Sequence, residues 1–389
     1  MPLQFNTAKY GRQTECETIF AQFRNSRNLL MMEPRLLGKT FLLGRLEDRA
    51  PHENYRVVRL DVSGRTNEDE FFTALCDKIT KKIGPRDAAW ANLEERIKEF
   101  FSPGQKKSPS LFESISCLES NKLAEAMIEN LAEDKVMSWA VLIDELPVFL
   151  WRLHRKKDGL ARAYNFCYHL RRLREEIKPV SWLITGSIGH TPLARQGNYL
   201  GAFNNMYPFT LNPLEFDAAC DLLQAWASEG YLHHRRTITT VEAKLLVRAV
   251  GWRSAFYLYA LTSQMKGDPT EDKKEAHALV EGARSQLLSQ ANLSNLDSWP
   301  EHIRKNYEDP RRSRLFSILQ ILAGTEHPLT TDGLLPQLKG ADIGREECCR
   351  CLNILEEDGF IIRDDNLEKW RFRMELLRLW WNRYLPEAT

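Results

Sequence analysis

The sequence has almost no imbalance of charge: across its 389 residues, 54 Lys and Arg face 53 Asp and Glu, a formal net charge of +1. A chain so balanced has no global field to gather polyanions, so any contact with nucleic acid must be local. Long apolar runs are also missing. The most apolar stretch, 140–151, is broken by Asp144, Glu145 and Pro147, and it is far shorter than the roughly 20 residues a membrane-crossing helix requires. The opening MPLQFNTAKYGRQTE has no basic segment followed by an apolar one, which speaks against a secretory signal and for a cytoplasmic protein. The eight cysteines are scattered, and a chain of this size can build its core without disulfides. Only Cys348, Cys349 and Cys351 cluster. No second pair stands at a zinc-binding spacing, so they are read as small apolar residues of a helix. Internal repeats and low-complexity segments are absent.

What is present is the composition of a globular protein, 43% hydrophobic and 28% charged, in a chain long enough for two or three domains. Strand and helix signals alternate over the first half. The run NLLMM at 28–32 precedes a helix after Gly38 (KTFLLGRLEDRA), and YRVVRLDV at 55–62 precedes a helix over 68–83. A polar, helix-leaning stretch with a break at 102–109 follows. A strand at 140–143, a basic helix at 160–177 and a strand at 181–185 complete the series. Such alternation predicts an α/β domain with a mostly parallel sheet covered on both faces. From residue 212 the strand signals fade, and helices are predicted at 214–229, 240–250, 254–264 and 271–290. The polar, Pro-containing stretch 294–313 reads as a linker. Helices at 314–323, 331–338 and 344–357 then precede two short strands, GFIIRD and WRFRM. That order is the plan of a winged helix-turn-helix.

The residues with the clearest chemistry are E-P-R-L-L-G-K-T at 33–40, between an apolar strand and a helix. In a phosphate-binding P-loop, backbone N–H groups and the helix amino terminus hold the phosphates, a Lys reaches the β and γ phosphates, and a Ser or Thr hydroxyl ligates magnesium. Gly38, Lys39 and Thr40 supply the second half of that pattern, while Glu33 occupies the place of its first glycine. A bare G-K-[ST] arises by chance in about one chain of this length in five, so the strand before it and the helix after it carry the assignment. A second element, AVLIDE at 140–145, ends a buried strand in two acids. At the carboxyl edge of a parallel sheet, where ligands bind, Asp144 is placed to hold magnesium with Thr40, and Glu145 to polarise an attacking water. A third, SWLITGSIG at 181–189, ends in small polar residues, of which Thr185 or Ser187 would sense a γ phosphate through a hydrogen bond. The simpler readings are a loop start for the acids and an ordinary turn for the Ser and Gly.

With these residues in view, the sequence resembles the STAND-like and archaeal-type AAA ATPases, neighbours of the origin-recognition ATPases within the AAA+ group. The matching pieces are Y-G-R-Q-T-E at 10–15, like the family's amino-terminal box beside the adenine; P-R-L-L-G-K-T at 34–40, like its P-R-R-x-G-K-[ST] loop; V-L-I-D-E-L-P at 141–147; and T-G-S-I-G at 185–189. The closing E-E-D-G-F-I, W-R-F-R and L-L-R-L-W-W are similar to its carboxyl-terminal winged helix. The resemblance implies an ATP- and Mg2+-dependent switch with a core at 1–210, a helical lid at 211–300 and a winged-helix domain at 301–389. It places Gly11 and Arg12 at the base, and Pro34, Arg35, Leu36, Leu37, Gly38, Lys39, Thr40 and Phe41 at the phosphates. Two departures stand out. Glu33 would repel phosphate unless its side chain points away. The lid's usual Gly-Pro is replaced by Gly251-Trp252-Arg253-Ser254, where Arg253 is either a lid arginine for the γ phosphate or a surface arginine at a helix start.

Two further features bear on partners. Residues 151–178 carry nine Lys or Arg against Asp158, Glu175 and Glu176. That surplus is read as a solvated helix face, a surface for a protein partner or self-association, or a nucleic-acid contact. In the carboxyl-terminal segment 311–389, 12 Lys and Arg meet 13 acids, and the helix that would read DNA carries Glu346 and Glu347. A phosphate backbone would repel it, so packing is the expected role, with Trp370, Phe372, Leu376, Leu377, Trp380 and Trp381 in its core. The sequence therefore supports an ATPase switch acting through a protein partner, with a DNA-associated AAA+ ATPase of replication or transposition type as the alternative.

Overall fold

Strand β3 (Ser138–Asp144) and strand β4 (Val180–Gly186) are the spine of the amino-terminal half, and every residue of the two after Ser138 is buried. Such unbroken apolar strands, without a polar alternation, belong in the middle of a parallel sheet covered on both faces. With β1 (Leu29–Met32), β2 (Tyr55–Asp61) and β5 (Tyr207–Pro208), they form one five-stranded parallel sheet in the order β2-β3-β4-β1-β5. The sheet belongs to a computed structural model that describes residues 12–34, 36–83, 119–186, 190–232, 236–289, 296–341, 343–364 and 368–384. Gly11, Arg35, Ser187 and the 102–109 break lie outside the described residues. The chain divides into two compact units, Met1–Glu33 with Lys39–Leu211, and Pro34–Gly38 with Asn212–Thr389.

In the first unit the strand order matters most. Strand β4 lies between β1 and β3, with Met31 opposite Thr185 and Ile143 opposite Ile184. The carboxyl ends of β1, β4 and β3 are therefore neighbours. On the outer side β2 runs in register with β3, from Tyr55 opposite Ser138 to Asp61 opposite Asp144. Helix Glu68–Lys82 starts at Asn67, whose side chain accepts from the Glu70 N–H, an N-cap worth about 1 kcal/mol. Its Phe71 and Phe72 meet Phe149 and Phe166 from helices Leu146–His154 and Gly159–Glu176, with ring centroids 4.8 to 5.7 Å apart. Each such ring stabilises the fold by roughly 1.5–3 kcal/mol through burial. Gly186 ends β4 because nothing larger fits: a Cβ there would stand 2.5 Å from Pro147 Cδ and 2.8 Å from Met32 Sδ.

The second unit is mostly helical. Helices Phe216–Ser228, Thr240–Val250, Ala255–Thr262 and Lys273–Leu287 follow one another, and the second opens on a capping box between Thr239 and Glu242. The stretch 294–313, expected to be a linker, instead holds helix Ser298–Asn306. Its Trp299 donates to Tyr257 Oη at 2.6 Å and packs on Phe360, while His302 and Tyr307 reach Asp358 Oδ2 at 2.9 and 2.7 Å. The segment is thus anchored by buried polar bonds, and Pro300 sits in the helix's first turn, where a missing N–H is harmless. Helices Arg311–Ala323, Thr331–Leu334 and Arg345–Glu357 then lead to an antiparallel sheet of β6 (Leu329–Thr330), β8 (Lys369–Phe372) and β7 (Ile361–Asp364), in that order, and to a last helix, Glu375–Tyr384. Trp370, Phe372, Leu376, Leu377, Trp380 and Trp381 are all buried. Cys348 and Cys351 are buried on helix Arg345–Glu357, and Cys349 is exposed. Among the described residues no helix is long and apolar enough to cross a membrane.

Candidate functional site

In the first unit, the carboxyl ends of the three neighbouring strands gather the polar residues. Asp144, the last residue of β3, is 2% exposed and holds two hydroxyls. Its Oδ2 accepts from Thr40 Oγ1 at 3.2 Å and its Oδ1 from Thr185 Oγ1 at 2.5 Å. Burying a carboxylate is costly unless it is hydrogen-bonded, and here both oxygens are engaged by residues from separate elements. Thr40 stands in the first turn of helix Lys39–Arg49, and Thr185 next to the end of β4. Lys39 is also buried, at 5% exposure, and its ammonium donates to the Glu33 carbonyl at 2.6 Å.

Glu33, the departure from the glycine pattern, is accounted for locally. Its N–H donates to the Gly186 carbonyl at 3.1 Å, and its Oε1 accepts from the Leu211 N–H at 3.0 Å. The carboxylate is thereby committed to the strand-following loop at Leu211. Glu145 follows Asp144 directly, in the left-handed conformation with φ of 62°, and caps helix Leu146–His154. That conformation is uncommon for a residue with a side chain and concentrates at functional sites.

Two residues of this cluster escape a reading of motifs. Arg59 of β2 brings Nη2 to 3.8 Å from Asp144 Oδ2, and Asp61 ends β2 opposite Asp144. The signal available in the sequence is the charged residues Arg56, Arg59 and Asp61 within the strand YRVVRLD. The remaining predicted residues divide as follows. Arg12 precedes helix Gln13–Arg24 with φ of 59° and pairs with Glu15 at 2.6 Å. Phe41 is 39% exposed.

Pro34–Gly38 is grouped with the second unit. Gly38 adopts φ of 102°, which only glycine enters without strain. Leu36 also has a positive φ, 64°, and its carbonyl accepts from Ser254 Oγ. Pro34 lies against Gly359, where a Cβ would come within 2.0 Å of Pro34 Cγ. Arg253 is tied to Leu214 twice: its carbonyl accepts from the Leu214 N–H at 3.0 Å, and its Nε donates to the Leu214 carbonyl.

Four of the nine cations of 151–178 have partners within the unit, while Arg155, Lys156, Lys157 and Lys178 are exposed. Arg162 pairs with Glu68, Arg171 with Glu175 and Arg172 with Glu125, while Arg174 is buried and donates to the Ala202 carbonyl.

Chemically, the Thr40 hydroxyl and Asp144 carboxylate are the hard oxygen donors that magnesium takes, usually one or two per site together with waters and substrate phosphates, so the donor set fits that ion. No protein-family model matches the chain, and no curated protein matches it. Solved structures do. A Walker-type ATPase of Pyrococcus abyssi aligns over 98% of this chain and 98% of its own, with a TM-score of 0.64 and 14% identity. The ORC2 protein of Aeropyrum pernix, solved as ADPNP and ADP complexes, aligns over 95% and 93%, with a TM-score of 0.54 and 13% identity. At these identities the likeness speaks for architecture, and it gives the chain the fold of the Walker-type ATPases.

Proposed function

We propose that this chain binds ATP with magnesium, hydrolyses it slowly, and uses the nucleotide as a conformational switch that acts on a protein partner or on a second copy of itself in the cytoplasm. The observation that carries the reading is Asp144 at the end of β3, hydrogen-bonded to Thr40 in the first turn of helix Lys39–Arg49 and to Thr185 of β4, with Lys39 next to Thr40 and bonded to the Glu33 carbonyl. In this reading the backbone of 34–40 holds the phosphates and Lys39 offsets the charge of the β and γ groups. Thr40 and Asp144 would hold magnesium, which supplies charge neutralisation at the phosphate oxygens. Glu145 orients and polarises the attacking water. Thr185 positions Asp144, and Ser187 remains the candidate for sensing the γ phosphate. The domain scheme is the resemblance's: core 1–210, helical lid 211–300, winged helix 301–389. The balanced carboxyl-terminal segment 311–389, with 12 Lys and Arg against 13 acids, favours a protein partner over the DNA-associated alternative.

The switch requires that some group distinguish ATP from ADP, because a ligand shifts an equilibrium only by its differential affinity for the two states. Arg253 is assigned that role. Its Nε is engaged by Leu214, and its two terminal amino groups are not needed for that bond. Calorimetry with Mg-ATP and Mg-ADP tests both levels. The wild-type chain binds both, and Arg253→Ala weakens ATP by about tenfold more than ADP, the worth of one charge-assisted contact. If the wild-type chain binds neither nucleotide, the whole reading fails. Equal effects of the variant on the two nucleotides remove only Arg253 from the switch.

A further inference from the structure

Arg59 of β2 is a cation beside the contact between Thr40 and Asp144. It stands opposite Leu142, and Asp61, two residues further on, stands opposite Asp144. Alternate residues of a strand project to the same face, and so do register partners on neighbouring strands. Arg59 and Asp144 therefore share a face of the sheet, with Arg59 starting two residues short of the carboxylate. Helix Lys39–Arg49 lies over that face, and its Thr40 and Gly44 are one turn apart on the same side. Thr40 Oγ1 bonds Asp144 Oδ2, and a Cβ at Gly44 would stand 3.6 Å from Arg59 Nη1. The guanidinium is thus lodged between the helix and the Asp144 carboxylate.

Its Nη2 is 3.8 Å from Asp144 Oδ2, which is beyond hydrogen-bond length. The contact is one of charge and imposes no fixed geometry, and the Arg59 side chain keeps 24% of its surface in solvent. The two bonds that the Asp144 carboxylate accepts come from hydroxyls, which bring dipoles and no net charge. Arg59 brings a full countercharge to this buried acid. Magnesium held by Thr40 and Asp144 would draw on the same carboxylate, so two cations compete for one group. At the dielectric constant of water, a unit cation and a divalent one about 6 Å apart already repel enough for roughly a tenfold change in affinity, and a less polar surrounding raises it.

We propose that Arg59 is a built-in counter-ion to Asp144 that competes with magnesium for its carboxylate, lowering the site's affinity for the metal and letting ATP bind with less dependence on it. The inference rests on the reading of Thr40 and Asp144 as the metal's ligands. Arg59 acts through Asp144 and is a positioning residue; when the metal enters, the guanidinium gives way toward solvent. The test measures ATP affinity of the full-length chain by calorimetry, in EDTA and in excess magnesium chloride. The ratio of the two dissociation constants is the coupling between metal and nucleotide. The parent binds ATP in both buffers. Arg59→Gln and Arg59→Met, which remove the charge, raise the ratio by about tenfold or more, while Arg59→Lys, which keeps it, stays within about threefold of the parent. Circular dichroism checks that the variants fold, and either neutral variant suffices. A merely structural role would weaken ATP alike in both buffers and leave the ratio alone. The proposal is overturned if the neutral variants leave the ratio within about threefold of the parent or lower it, if Arg59→Lys raises it as they do, or if the parent binds ATP only with magnesium. A parent that binds ATP in neither buffer removes the nucleotide reading itself, and this inference with it.

Discussion

Lys39→Ala loses Mg-ATP binding by about a hundredfold or more in a protein that still folds. Hydrogen bonds to charged groups contribute about 1.5–3 kcal/mol each, and an ammonium facing two phosphates makes more than one. The lysine is 5% exposed with its amine on the Glu33 carbonyl, so it is already ordered where the phosphates would sit, and little side-chain entropy remains to be lost on binding. Alanine at the first position of helix Lys39–Arg49 is at least as good a helix former as lysine. The thermal midpoint therefore moves by only a few degrees, which circular dichroism checks. Calorimetry reads the affinity, and an unchanged dissociation constant in the folded variant would remove Lys39 from any phosphate site.

Four of the five strands were readable, three of them as apolar runs and β2 despite its Arg56, Arg59 and Asp61, whereas the two-residue, exposed β5 gives no such signal. Within AVLID and SWLIT no apolar–polar alternation competes with a buried parallel strand. Their order was not readable, since a sequence does not say that β4 lies between β1 and β3, and it is that order which lets Thr185 reach Asp144. The same limit explains Arg59, which shares no motif with Asp144 and meets it only because β2 and β3 run in register. Helix Ser298–Asn306 escaped because it is short and carries Pro300 among mostly polar residues. What fixes it is His302 on Asp358 and Trp299 on Tyr257, contacts 56 and 42 residues away in sequence. Glu33 was legible as an anomaly, and only the fold supplies its partner, the Leu211 N–H. Tertiary contacts between distant segments account for each of these gaps; local propensity was a good guide to where elements begin and end.

Glu145→Gln is expected to separate binding from turnover. The residue follows Asp144 at the end of β3 with φ of 62°, and its carbonyl accepts from the N–H groups of Val148 and Phe149 at 3.1 and 3.4 Å. Glutamine matches glutamate in shape and leaves that backbone arrangement intact, so neither the helix start nor Asp144 moves. An amide cannot take a proton from water or polarise it as a carboxylate does, and losing a general base costs roughly 10² to 10⁴ in rate. The variant therefore binds Mg-ATP within about twofold of the parent while single-turnover hydrolysis slows by at least a hundredfold, a difference of about 2.7 kcal/mol in the barrier. Because the chemical step alone is read, slow product release does not mask the effect. A variant that hydrolyses at the parental rate places water activation on another group. A variant that also loses ATP affinity makes Glu145 part of how the nucleotide is held.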